Sequence, residues 1–265
     1  MTLKEEFIIL GYTKDDYDAI RNSYPISSIK DETLIEKVRD NYSFLLKLGY
    51  KREKIIKITK SLPEIYGYST RTIEQKMKDM ISLGYTKEEV IRMTKNSPSI
   101  YSYSIETIKK KIDDIISLGY TRKEVIKMTK GLSQIYGYSI EGIKQKIDDM
   151  ISLGYTRKEV INMTKDLPAI YGYSKKNMKQ KKDFYDSIGL HELVSVDPKQ
   201  LIQSVNLSYA RYCFYKDKGI DIDMNNYRKL FVREDQFEKS NGITKQELIE
   251  KYDYDKYEEQ RKMNL

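Results

Sequence analysis

The chain has 265 residues, 33% charged and 39% hydrophobic, with a formal net charge of +8 and a mean hydropathy of −0.67. That hydrophobic share is enough for a core and argues against disorder, while the high charge suits an elongated array with much surface per residue. The single Cys213 excludes an internal disulfide and fits a reducing compartment, and no apolar run reaches the ~20 residues that a membrane helix needs.

The opening segment, Met1 to Phe7, carries acids early and has no long apolar stretch. It has neither the look of a secretory signal nor that of an Arg-rich transit peptide. A cytoplasmic protein without membrane association is expected.

Residues 1–48 read as a looser copy of the repeats beyond them, with Gly11 as their first marker. Glycines then stand at Gly49, Gly84, Gly119, Gly154 and Gly189, 35 residues apart, before a shortened step of 30 to Gly219. The text between the evenly spaced glycines is nearly the same in successive copies, the signature of a repeat array. The chain divides into three segments: a divergent capping repeat at 1–48, four regular repeats at 49–188, and a shortened repeat with a helical tail at 189–265.

Each regular unit predicts two helices. Thr86, Thr121 and Thr156 each stand three residues before a glutamate (Glu89, Glu124, Glu159), which is a capping box. The first helix then runs to about Lys95, Lys130 and Lys165, where Pro98 and Pro168 stop it and Ser133 takes the same place. After a short I-Y-x-Y segment, Ser69, Ser104, Ser139 and Ser174 cap the second helix, and Leu-Gly ends it. Ile108, Ile112, Ile115 and Ile116, like Ile143, Ile147, Met150 and Ile151, fall at helical spacing and form its core stripe. In the tail, Thr244 and Glu247 box the last helix. One repeat cannot bury such a stripe alone, so the fold predicted is an all-α solenoid, a right- or left-handed superhelix of tandem helical repeats.

Charge is uneven along the chain: −2 over residues 1–48, +11 over 49–188 and −1 over 189–265. A basic middle is the footprint of a polyanion binder, although Lys-rich solvated helices give a similar count. Eight residues before each glycine stand Lys76, Lys111, Lys146 and Lys181, then Arg211. At about 100° per residue this column lies about 60° from the reference Ile, beside the apolar arc and away from the solvent-facing back, so stacked repeats should raise a ladder of cations along one surface. Asp79, Asp114 and Asp149 lie three residues after the first three lysines and can pair with them. Lysines also lie over core edges simply to snorkel. Phe184 and Phe214 follow Lys181 and Arg211 at that spacing, so pairing does not account for the whole column. A second column, Arg52, Lys87, Arg122 and Arg157, stands at the start of each first helix, where cations oppose the helix dipole. That local cost hints at an external partner, although the side chains can also simply face solvent.

The 24 tyrosines recur at fixed places: Tyr85, Tyr120 and Tyr155 after glycine, and the pairs Tyr101/Tyr103 and Tyr136/Tyr138. Base stacking is one use for them; packing between repeats, with the hydroxyls hydrogen-bonded, is the expected one. Asp221 to Asn225 begins like a calcium loop but has Asn226 where glycine is needed and Val232 where a glutamate is needed. It reads as a turn and helix cap. No nucleotide-binding glycine loop or paired-cysteine zinc spacing occurs, and His191 is alone. Everything distinctive is periodic, which points away from a single-copy catalytic site; neither a cofactor nor a metal is expected.

The punctuation Pro98-Ser-Ile100, Ser104, Ile108, Lys111, Leu118-Gly119 and Thr121 to Glu124 resembles the repeat of the mitochondrial transcription termination factor family, and the pattern runs over roughly residues 11–219. Pentatricopeptide and tetratricopeptide arrays share the period but lack this mid-repeat proline and Leu-Gly-Tyr-Thr punctuation. The resemblance implies a left-handed superhelix that binds double-stranded DNA, or in some members RNA, along a basic groove, with a role in transcription regulation. It places a basic residue in the column from Lys76 to Arg211 and implies contact there with the nucleic-acid backbone. The expectation is therefore a monomeric, non-enzymatic binder of nucleic acid, duplex DNA before RNA. A protein-interaction scaffold, holding a peptide or partner domain in its concave face, is the alternative.

Overall fold

The computed structural model describes residues 1–263. The fold is an all-α helical-repeat solenoid, with α-helices and short 3-10 helices and no strand among the described residues. The chain forms two compact units, Met1–Ile140 and Glu141–Leu265.

The first unit holds α1 (Leu3–Ile9), α2 (Lys14–Arg21), α3 (Asp31–Lys47), α4 (Arg52–Ser61), α5 (Thr70–Ser82), α6 (Lys87–Asn96), α7 (Ile105–Ser117) and α8 (Arg122–Gly131). Capping boxes close on Thr86/Glu89 and Thr121/Glu124 as their spacing predicts, and also on Thr2/Glu5 and Thr13/Asp16. Ser69 and Ser104 accept from the backbone N–H three residues on, capping α5 and α7. Where α3 and α5 end, glycine is needed: Gly49 and Gly84 have φ of +89° and +109°, which L side chains rarely adopt.

The I-Y-x-Y segment is itself a 3-10 helix, running Pro63–Gly67, Pro98–Ser102 and Ser133–Gly137. Proline at its first position lacks the N–H that the α-helix would use and restrains the residue before it. Leu62 and Ser97 accordingly adopt φ near −138° (−139° and −137°). Leu132 takes the same φ of −137° before Ser133, so packing holds this break even without proline.

Ile108, Ile112 and Ile115 are buried, but Ile116 is only half-buried. The apolar stripe is thus narrower than the spacing alone predicts, at about 1.5–3 kcal/mol for each fully buried aliphatic side chain.

The second unit opens in α9 (Ile140–Ser152) and continues through α10 (Arg157–Asp166), α11 (Lys175–Ser187), α12 (Leu193–Val196) and α13 (Val205–Asp217). The Thr156/Glu159 box and the Ser174 cap close as expected, while Ile151, expected in the core, is 37% exposed. The shortening before Gly219 falls on the first helix: α12 has 4 residues where α10 has 10. The tail forms α14 (Glu234–Asn241), α15 (Lys245–Lys251) and α16 (Tyr254–Met263). Phe237, Leu248 and Tyr254 are buried; Phe237 meets Phe214, and Tyr254 meets Tyr209, of α13, both edge-on or tilted at 5.4 Å between ring centres. Asp223 accepts from the N–H groups of Asn225 and Asn226, so the calcium-like stretch is a turn.

Candidate nucleic-acid interface

The cation column on the second helices turns inward. In the first unit, Lys76 Nζ donates to the carbonyl of Tyr103 at 3.0 Å, and Lys111 Nζ donates to that of Tyr138. In the second, Lys146 Nζ reaches Tyr173 O at 2.6 Å, and Lys181 Nζ donates to Leu201 O. Arg211 donates to Leu230 O at 2.9 Å and Val232 O at 2.7 Å. Tyr103, Tyr138, Tyr173 and Val232 all stand at the C-cap of the 3-10 helix in the following repeat. Leu201 lies within the corresponding segment, Pro198–Ile202. Each cation therefore ties one second helix to carbonyls left over by the next tight turn.

The matching position before Gly49 is Asn41, which is uncharged. Its Nδ2 nevertheless donates to Tyr68 O at 2.9 Å and Ile65 O at 3.0 Å. Tyr68 is the equivalent C-cap. What this position supplies is a donor, and charge is incidental to the bond.

The side chains expected to form a ladder of cations along one surface are partly or wholly covered. Lys76, Lys111 and Lys146 are half-buried, while Lys181 and Arg211 are 4% and 1% exposed. Desolvation holds the Lys76 and Lys181 ammonium groups below the usual lysine pKa range and lowers that of Arg211. Lys181 also lies 5.0 Å from the centre of the Tyr173 ring, and Arg211 lies 4.5 Å from that of Phe237. The physical reason is position: about 60° from the buried Ile of the same turn is the core margin, where a long stem follows the neighbouring repeat to the nearest unpaired carbonyl.

The tyrosines after glycine are buried between repeats. Tyr12 Oη is hydrogen-bonded to Thr59 Oγ1 at 2.7 Å and Tyr66 Oη at 2.5 Å. Tyr50 bonds Thr94 and Tyr101, and Tyr85 bonds Thr129 and Tyr136, in the same arrangement. Thr59, Thr94 and Thr129 each donate to the carbonyl four residues back in their own helix. A hydroxyl has one proton, so the threonine accepts from the first tyrosine, which accepts from the second. Burial pushes the Tyr12 hydroxyl up to about 12, and it raises Tyr50 and Tyr85 as well. Packing, not base stacking, occupies these rings.

The second column is exposed. Arg52, Lys87 and Arg122 open α4, α6 and α8 of the first unit, and Arg157 opens α10 of the second; each of the four is exposed. Arg52 Nε donates to Tyr42 Oη at 3.1 Å, which orients the side chain without covering it. Sequence reasoning missed Lys57 and Arg92, exposed on the same helices, and the partners of Lys60, Lys95 and Lys130 at their ends. Lys60 pairs with Asp16 at 2.5 Å and Lys130 with Glu89 at 2.8 Å. Each acid belongs to the capping box of the preceding repeat, and each is held below the ordinary carboxylate range, first by that lysine. Lys95, facing a repeat with no capping acid, instead donates to Gly49 O and lies 5.1 Å from the centre of the Tyr50 ring. The signal was the column at 35-residue spacing, Lys60, Lys95 and Lys130.

The first helices thus present cations on a surface whose apolar and hydroxyl groups are already satisfied within the array. Comparison with curated proteins finds no match. The family model for mTERF matches residues 19–152, just over half of the chain. That span covers α3 to α8 with the Pro-Ile, Ser and Leu-Gly punctuation that builds them. The chain belongs to the mTERF family.

Proposed function

We propose that the chain is a non-enzymatic nucleic-acid-binding protein that docks on the phosphate backbone of duplex DNA through the outer face of its first helices. The carrying observation is the exposed column Arg52, Lys87, Arg122 and Arg157, set on a family of nucleic-acid-binding helical repeats. Lys76, Lys111, Lys146, Lys181 and Arg211 support that face indirectly in this reading, by fixing the stagger of successive repeats. The Tyr-Thr-Tyr groups are buried and take no part in base stacking, whereas Tyr68, Tyr103, Tyr138 and Tyr173 stay half-exposed, so the choice of duplex over single strand rests on the resemblance to the family and is decided by the comparison of strands below. Phosphate contacts of this kind position the protein and carry little sequence information.

The experiment is a titration of labelled duplex DNA, single-stranded DNA and duplex RNA at several salt concentrations. The reading expects duplex DNA to bind most tightly, with affinity falling steeply as salt rises. Equal or tighter binding of single strands contradicts it, and so does a failure to bind duplex near physiological salt.

A further inference from the structure

The first helices of the first unit are not equivalent, and α8 stands apart. At the outward positions of α4 the chain has Arg52, Glu53, Lys57 and Lys60, and at those of α6 it has Lys87, Glu88, Arg92 and Lys95. The same positions of α8 hold Arg122, Lys123, Lys127 and Lys130, with lysine where the other two helices carry an exposed glutamate. The one acid of α8, Glu124, is folded back into its capping box on the Thr121 N–H at 2.9 Å. Its counterpart in α4, Lys54, is half-buried, so the comparison of outer faces holds.

Shape differs too. A groove of about 550 Å³ runs between α8 and the turn at Leu83-Gly84, lined by Leu83, Gly84, Arg122, Ile126, Lys127 and Lys130, with Lys123 on its rim. Gly84, like Gly49, has nothing within 4 Å of where a side chain would begin. At the equivalent turn facing α4, Ile56 and Arg52 lie 3.6 and 3.7 Å from that point on Gly11. At the turn facing α6, Lys95 reaches across to the Gly49 carbonyl. Lys130 is instead drawn to Glu89, and the turn at Gly84 stays open.

We infer that this groove is the principal phosphodiester seat of the first unit, so that binding energy is concentrated on α8 and not spread evenly over the repeats. The inference rests on the duplex-binding reading above. Leu83 and Ile126, 6% and 9% exposed, make an apolar floor for the carbons of a deoxyribose, and the cations around it meet the flanking phosphates. A groove with this lining suits a sugar-phosphate chain better than an acidic peptide, whose carboxylates alternate with a backbone that needs hydrogen-bond partners the floor does not supply.

The test compares two variants that each remove two exposed positive charges, Lys123→Gln/Lys127→Gln and Arg52→Gln/Lys57→Gln, on a 30-base-pair duplex of DNA. The first should lower affinity roughly 10-fold or more and flatten the slope of log K against log salt by about 2, as expected for two lost phosphate contacts. The second, with the same change in net charge, removes a weaker part of the same docking face and should lower affinity only about 3-fold and flatten the slope by less than about 1. Equal losses from both variants overturn the inference while leaving the binding function intact. No binding by the wild-type chain overturns both. Both variants must keep the helical circular-dichroism spectrum and melting temperature of the parent, which their exposed positions predict.

Discussion

Asn41 and Lys111 occupy the same position in two repeats and make the same bond: each donates to the carbonyl of the tyrosine that closes the next 3-10 helix, Tyr68 for one and Tyr138 for the other. A neutral amide and a cation are interchangeable there only if the position serves the fold. Lys111→Met, which keeps the stem and removes the donor, should therefore destabilise the array by about 1–2 kcal/mol with no change in the salt slope of DNA binding. Urea melts and a salt titration check this. An unchanged midpoint with a slope flatter by about 1 would return the column to the interface.

The direction of the hydroxyl relay makes two similar substitutions unequal. Tyr85→Phe removes the acceptor that Tyr136 needs and leaves a buried O–H unpaired, at a cost of about 1–3 kcal/mol. Tyr136→Phe leaves Tyr85 still donating to Thr129, so its cost should be smaller, about 0.5–1 kcal/mol. Equal costs, read from denaturant midpoints, would mean that the relay runs otherwise.

The same buried hydroxyls predict alkaline sensitivity. Burial pushes Tyr12 up to about 12, and does the same to Tyr185 of α11, a buried tyrosine outside the relay whose hydroxyl bonds Ser208 Oγ at 3.1 Å, against about 10 in an unfolded chain. Below about pH 10 these tyrosines are protonated in both states and their contribution is fully present. Between about 10 and 12 the unfolded chain loses protons first, so stability falls with rising pH. Tyrosinate absorbance followed beside circular dichroism should show some tyrosines titrating normally and others only as helix is lost.

Gly84→Ala tests the turn. No neighbour would clash with the new methyl, but φ of +109° is strained for any L residue. A loss of about 1–2 kcal/mol is expected from backbone strain alone, measured as a lower melting temperature with an unchanged fold.

Much of the fold is legible in the sequence. Thr86 and Glu89, Thr121 and Glu124, and Gly49 and Gly84 announce helix ends because caps are local chemistry, decided within four residues. The inward turn of Lys76 and Lys111 is not legible, because their partners Tyr103 and Tyr138 lie 27 residues downstream on a 3-10 helix whose spacing has no strong periodic signature. One clue is present: the break of the cation column at Asn41, a polar residue suited to burial as a donor. The outer column from Arg52 to Arg157 is legible as a violation of the helix dipole. Which helix carries the open groove depends on where Lys95 and Lys130 reach, a matter of three-dimensional neighbours.

In the proposed mode of binding, the exposed cations of the first helices, and not the second-helix column, meet the nucleic acid. Its most direct test is the slope of log K against log salt for duplex DNA with Arg52→Gln/Lys87→Gln/Arg122→Gln, set beside Lys76→Met/Lys111→Met. The triple variant should lose a clear part of the slope, about 1 or more and most of it through Arg122, at unchanged stability. The double variant should keep the slope and melt earlier. A slope lost by the double variant and kept by the triple would contradict it.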